Sequence, residues 1–311
     1  MKTDWENRLA IHILTRERHE YLAVLLESLR QQTYNNWDLF ILDNNDAPYN
    51  CRNVPLLVSM LTRIQYEKHN VNMILPSTDI YKKNIGLSRN ILIEASKEYK
   101  WAVRVDDDSI LDRNYLEKLW KVVLSHHAIA VGGIVPTYQS PDIYKYPPKI
   151  FNQIKRTNVP ERYLVLSKKY PELGGFTNET EEYYNVGEPI DDGAFRYHPN
   201  YLNIIPSHHL RSSYLFSLSA INEIGGFPSS DDTGFREETI ASIKLLEKGY
   251  KLYTNTRAIA WHLWAPNLGR GYTSNTSTSK GYSPQDHEKK ILKNEITFQR
   301  NYREIMRKLF K

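Results

Sequence analysis

The chain is nearly free of cysteine: Cys51 is the single one in 311 residues. That excludes an internal disulfide and suits a reducing, intracellular setting. Long apolar runs are missing too. No stretch approaches the roughly 20 residues that span a bilayer. Met1 to Arg8 is polar where a secretory leader would turn apolar. The expected location is cytoplasmic, at most peripheral on the inner face of a membrane. No dense Lys/Arg block exists, and a net charge of +5 is too mild to argue for a nucleic-acid partner. It does suit a protein that handles anionic phosphates. No internal repeat is present, and Thr15-Arg-Glu-Arg-His19 contains no glycine, which counts against a Gly-rich phosphate loop after the first apolar run.

What is present is ordinary globular material, 41% hydrophobic and 25% charged, enough for one large domain or two smaller ones. The 22 tyrosines offer polar-aromatic surfaces for stacking on sugars or bases. The focal stretch is Trp101-Ala-Val-Arg-Val-Asp106-Asp107-Asp108-Ser109, an apolar run that ends in three carboxylates. Like charges this close repel and require a counter-charge. A hard divalent cation, Mg²⁺ or Mn²⁺, held by oxygen ligands and shared with phosphates, is one solution. The plainer one is a solvated acidic turn before the next helix, with Asp112 as its N-cap.

Arg8 to Thr15, Trp37 to Leu42, Val71 to Leu75 and Trp101 to Val105 read as strands. Glu20 to Gln32, Pro55 to Tyr66 and Gly86 to about Glu98 read as the intervening helices. Strands alternating with helices predict a parallel, doubly wound sheet, whose ligands bind beyond the C-terminal strand ends. Thr15-Arg16, Asp43-Asn44 and Asp106 to Asp108 all stand at such ends. A helix over Arg113 to Ser125 and a strand over Ala128 to Val135 follow. Tyr138 to Pro206, rich in Pro, Tyr and Asn, shows no sustained period and reads as an insertion or lid, with Gly174-Gly175 as its hinge. Tyr214 to Leu218 resumes strand character. Ala220 to Ile224 and Arg236 to Lys248 read as helices, and Lys251 to Tyr253 and Ala258 to Trp261 as short strands. Asn267 to Tyr282 reads as a mobile loop, and Pro284 to Phe310 as a basic amphipathic helix.

RLAIHILTRER, LFILDNNDAP, NIGLSRN, VRVDDDS, GGF, FREET and AIAWHLW stand in the order seen in inverting glycosyltransferases of family 2, which this chain resembles. The resemblance covers most of 8 to 136 and about 209 to 265. It is weak over 138 to 206 and absent from the tail. It implies an α/β fold of GT-A type: a Rossmann-like, mostly parallel sheet flanked by helices, with a loop-rich insertion and a C-terminal helix. It divides the chain into a GT-A domain, 1–265, and a loop with a basic helix, 266–311. Within the domain, 1–136 would bind nucleotide-sugar, 137–208 would be the variable insertion, and 209–265 would carry the acceptor and catalytic half.

The resemblance also assigns roles. Thr15, Arg16, Asp43, Asn44, Asn84, Arg89, Asp106 and Asp107 would line the nucleotide-sugar site, with Asp43 accepting from the base. Asp108 would bind Mn²⁺ or Mg²⁺, with Asp106 beside it on the ribose or a metal-bound water and His262 completing the shell. Glu238 would be the general base, with Glu237 orienting acceptor or helix. The family more often has Asp there, and the longer Glu is a departure. Arg211, Trp261 and Trp264 would touch the acceptor, a glycan, a lipid-linked molecule or another hydroxyl compound.

Plainer readings stand beside each: caps, a structural arginine, a packed histidine, and two acids favoured at a helix N-terminus. Asp191-Asp192 and Asp231-Asp232 read as solvated turns. A sugar nucleotidyltransferase and a non-catalytic binding module are the rival functions. Lys289, Lys290, Lys293, Arg300, Arg303, Arg307 and Lys308 on the last helix suit a peripheral contact with anionic lipid, or else a packed helix or an oligomer contact.

Overall fold

A computed structural model describes residues 5–45, 49–76, 84–136, 154–176, 182–186, 204–228, 236–263 and 284–310. The first half alternates: β1 (Leu9–Thr15), α1 (His19–Arg30), β2 (Trp37–Asp43), α2 (Pro55–Tyr66), β3 (Val71–Ile74), α3 (Ile85–Ala95), β4 (Trp101–Asp106). Then come β5 (Ser109–Leu111), α4 (Tyr115–His126), β6 (Ala130–Ile134), β7 (Lys155–Thr157), α5 (Glu161–Lys169), β8 (Tyr183–Asn185) and β9 (Ile204–Ser207). The chain closes with β10 (Tyr214–Ser217), α6 (Leu218–Glu223), α7 (Glu237–Glu247), β11 (Leu252–His262) and α8 (Pro284–Leu309).

The large sheet runs β3-β2-β1-β4-β10-β6-β11-β5, with β9 also paired to β11. Neighbours from β3 to β4 are parallel. β10 enters antiparallel between β4 and β6, and β6 and β11 return to the original direction. The C-terminal ends of β1, β2, β4 and β11 therefore share one edge with the start of β10.

Period-two alternation sorts the side chains. Leu9, Ile11, Ile13 and Val103 face a core shared with α1, α2 and α4. Ala10, Ala102 and Phe216 face a second core under α3, α6 and α7. Each fully buried Leu or Ile contributes roughly 1.5–3 kcal/mol, which is what holds the helices to both faces.

Four expectations change. The strands foreseen at 251–253 and 258–261 are one strand, β11, with an irregular register between Thr254 and Ile259. Asp112 does not cap α4, which follows Asn114; its carboxylate accepts the Trp261 indole N–H at 3.0 Å instead. The insertion contains α5 and the β7–β8 pair, whose alternation is too short to register as a period. Gly174-Gly175 is a packed corner: a Cβ on Gly175 would clash with Ser167 Oγ. The loop foreseen at 267–282 and the acid pairs 191–192 and 231–232 lie outside the described residues.

α8 is not a detached tail. Leu292, Ile296, Phe298 and Met306 are buried, packed on the insertion and on Ile240 and Ile243 of α7. Several of its basic groups are used within the chain: Lys289 pairs with Glu172, Arg307 with Glu182, and Arg300 donates to the Gly174 carbonyl. Among the described residues no helix is long and apolar enough to cross a membrane.

Candidate active site

Asp106 ends β4, and Asp107 and Asp108 form the turn between β4 and β5. β5 pairs antiparallel with the end of β11, His262 opposite Ser109. Two further backbone bonds close the junction: Leu263 N–H donates to the Asp108 carbonyl at 2.7 Å, and His262 N–H to Pro136 at 2.8 Å. This pairing carries His262 across the sheet to the acids. Its Nε2 lies 3.2 Å from Asp108 Oδ2.

The counter-charge that the acids require comes first from the protein. Arg18 Nη1 lies 2.9 Å from both Asp107 Oδ1 and Asp108 Oδ2. Arg18 precedes α1, after Glu17 in a left-handed conformation (φ 56°). The loop without glycine thus delivers a guanidinium where a Gly-rich loop would deliver backbone amides. Burial pushes the Asp107 carboxyl up to about 6, against the pull of Arg18. Burial also opposes the charge on Asp108, but the His262 hydrogen bond and Arg18 outweigh it and hold this carboxyl below its ordinary range.

Asp106 does not join Asp108 and His262. Alternation along β4 puts it on the face of Ala102 and Arg104, and its Oδ1 meets Arg89 Nη2 at 3.3 Å and Arg104 Nη2 at 3.5 Å. Among the described residues no three His, Cys, Asp or Glu side chains gather to hold an ion by themselves. Asp108 and His262 are the side chains placed to serve as its donors. They fit a divalent cation that takes its remaining ligands from a substrate, because Asp108 Oδ1 is buried without a hydrogen-bond partner.

A second acidic group sits at the start of α7. Glu237 is buried, 3.7 Å from Arg104 Nη1 and 3.9 Å from Arg89 Nε. Glu238 is more open, and its Oε1 takes Arg104 Nη2 at 2.6 Å and the Ser212 N–H at 3.1 Å. Glu238 Oε2 takes no hydrogen bond among the described residues. Arg104 is 2% exposed, under Tyr214 and Phe227. Burial opposes its charge, but Glu238, Tyr214, Asp106 and Glu237 together raise its pKa above the ordinary value. Burial, then the Glu238 charge, lifts Glu237 to about 7 against Arg104 and Arg89.

Thr15 is buried at the end of β1, and its hydroxyl has no hydrogen-bond partner among the described residues. Arg16 is partly exposed beside Glu17. Asp43 is fully buried; Oδ1 accepts from Asn45 N and Nδ2, and Oδ2 from Cys51 N. Asn44 is buried, its N–H bonded to the Thr15 carbonyl at 2.9 Å. Asn84 caps α3, accepting from Leu87 N. Arg211 precedes Ser212, next to Glu238. Trp261 is tied to Asp112, and Trp264 lies outside the described residues.

Sequence reasoning missed Arg18 and Arg104. A signal for Arg104 existed: an arginine inside WAVRV, two residues from Asp106, shares its face.

Residues 10–179, more than half of the chain, match the family model described as Glycosyl transferase family 2. The match runs into the region where the resemblance looked weakest and stops before Glu237 and Glu238. No curated protein matches the chain in sequence. The crystal structure of GalNAc-T7 with UDP, GalNAc and Mn²⁺ superposes with a TM-score of 0.57 at 12% identity, over 96% of this chain and 48% of that one. Crystal structures of S. aureus TarS do so at 0.52 and 12%, over 84% of this chain and 37% of that one. Residues 1–349 of TarS in complex with UDP-GlcNAc give 0.52 and 11%, over 89% and 62%. The chain thus spans less than two thirds of each of these proteins. At such identities the likeness is one of fold, the GT-A type.

Proposed function

Because this chain belongs to glycosyl transferase family 2, we propose that it moves a sugar from a nucleotide-diphosphate sugar to an acceptor hydroxyl with inversion. The observation that carries the reading is the arrangement at one sheet edge. Asp108, His262 and Arg18 form one charged group, Glu237 and Glu238 a second, and Arg104 ties Glu238 to Asp106 between them. Inversion needs these two jobs on separate groups. One side holds the leaving diphosphate while the other takes the hydroxyl's proton.

On the donor side, Asp108 and His262 would hold Mn²⁺ or Mg²⁺. The ion, when bound, neutralises charge on the leaving diphosphate. Arg18 adds a fixed positive charge beside it. A uridine or thymidine donor is favoured, because Asp43 stands at the end of β2, where the family resemblance puts the acceptor of a base N–H. UDP in the GalNAc-T7 and TarS structures is consistent with this choice.

On the acceptor side, Glu238 takes the proton through Oε2. Arg104 and the Ser212 N–H fix its other oxygen, so the carboxylate keeps one orientation as the sugar carbon gains oxocarbenium character. Glu237 is the less accessible of the pair and acts through the same arginines.

The test is a panel of UDP-, dTDP- and GDP-sugars with Mn²⁺ or Mg²⁺, read as cation-dependent donor hydrolysis. Turnover of a uridine or thymidine donor is expected. Neither binding nor turnover across the panel would end the reading.

A further inference from the structure

We propose that α8 is a positioning element for the transfer step, acting through a buried clamp between Glu295 and Arg236. This rests on the proposed role of α7 and goes beyond it. Arg236 is the residue just before Glu237, and it stands in the left-handed region at φ 57°. A non-glycine residue holds that conformation only when its surroundings impose it. The surroundings here are α8. Glu295 is 0% exposed, and its Oε2 takes Arg236 Nε at 3.0 Å and Nη2 at 2.8 Å. The guanidinium also lies over the Phe298 ring, 4.9 Å from its centre.

The clamp is anchored on its far side as well. Tyr183 OH and Gln299 Nε2 donate to Glu295 Oε1 at 2.8 and 2.9 Å. Gln299 in turn pairs with both the N–H and the carbonyl of Tyr184. A helix and a strand outside the large sheet thus converge on one carboxylate, and that carboxylate holds the residue that aims α7. Glu295 is a positioning residue: it reaches the reaction only through Arg236 and the first turn of α7. Among the described residues, no side chain of β1, β2 or β4 is hydrogen-bonded or ion-paired to Glu295.

The experiment uses the full chain in two variants, Glu295→Gln and the double variant Arg236→Gly with Glu295→Leu. The double variant removes both buried charges, so no ion is left unpaired, and glycine accepts the left-handed conformation. Three readouts are taken below each variant's melting temperature: UDP affinity with Mn²⁺, kcat with the active donor, and amide exchange over 236–247. Both variants are expected to bind UDP within about twofold of the parent, to lose on the order of 10²-fold in kcat, and to exchange faster at the start of α7. Full activity in the double variant would overturn the proposal, since the clamp would then only neutralise a buried charge. UDP affinity falling in step with kcat would overturn it too. If the parent turns over no donor, the functional reading fails. The clamp is then judged by amide exchange alone, and unchanged exchange would refute it.

Discussion

The two acidic groups of this site share their composition and differ in how the fold treats them. Each is a run of adjacent carboxylates held by an arginine from elsewhere, Arg18 for the β4–β5 turn and Arg104 for α7. Within the first group Asp108 is held below its ordinary range by His262 and Arg18 against burial. Within the second, burial lifts Glu237 to about 7. Burial lifts Asp107 of the first group to about 6 as well, so the contrast at neutral pH lies between Asp108, a fixed negative charge, and Glu237, near its exchange point. Environments that push like groups apart in this way separate ligand-holding from proton-handling roles.

The largest expected effect that separates them comes from Arg104→Met. It leaves Glu238 without its ion-pair partner, while Asp106 keeps Arg89 at 3.3 Å. A loss of about 3–5 kcal/mol in unfolding free energy is expected by analogy with broken buried pairs, read by denaturant titration. Arg104→Lys should recover only part of it, because an ammonium lacks the second nitrogen that the guanidinium holds 3.7 Å from Glu237. A Met variant as stable as the parent would mean that the second group carries no net charge.

Glu237→Gln gives the next effect. The folded pKa of Glu237, about 7, exceeds its ordinary value of 4.5. Across that window the folded state binds more protons than the unfolded one, so this residue's contribution to stability falls as pH rises from 4.5 to 7 and then levels. The variant lacks that fall. Its stability relative to the parent should therefore improve steadily from pH 4.5 to 7 and stay flat above. A difference independent of pH would remove the contrast between the two groups.

Trp261→Phe is the smallest. It deletes the indole bond to Asp112 behind β5. About 1 kcal/mol of stability should go, with donor hydrolysis unchanged. A larger loss of hydrolysis than of stability would assign Trp261 to the sugar site.

The first group was legible because its parts are local: strand ends carry their last residues to one edge, and β1, β2 and β4 could be read from apolar runs. His262 was placed only through motif order, since nothing in its spacing reveals that β11 pairs with β5. The second group was half legible. Glu237 and Glu238 stood out at a helix start. What holds them did not: Arg104 was hidden inside an apolar strand, and Glu295 inside a helix whose basic residues drew attention to its outer face. Leu292, Glu295, Ile296 and Gln299 share one helical face by spacing. A glutamate on an apolar face marks a buried partner, and the sequence alone does not say that the partner is Arg236.

If donor holding and proton transfer are separate jobs on these two groups, isothermal titration of UDP with Mn²⁺, alongside transfer rates, on Asp108→Ala and Glu238→Gln separates them. Asp108→Ala should lose the Mn²⁺-dependent part of UDP binding. Glu238→Gln should bind UDP as the parent does and lose about 10²–10⁴-fold in kcat. UDP affinity lost in Glu238→Gln, or Mn²⁺-dependent binding kept in Asp108→Ala, would contradict the division.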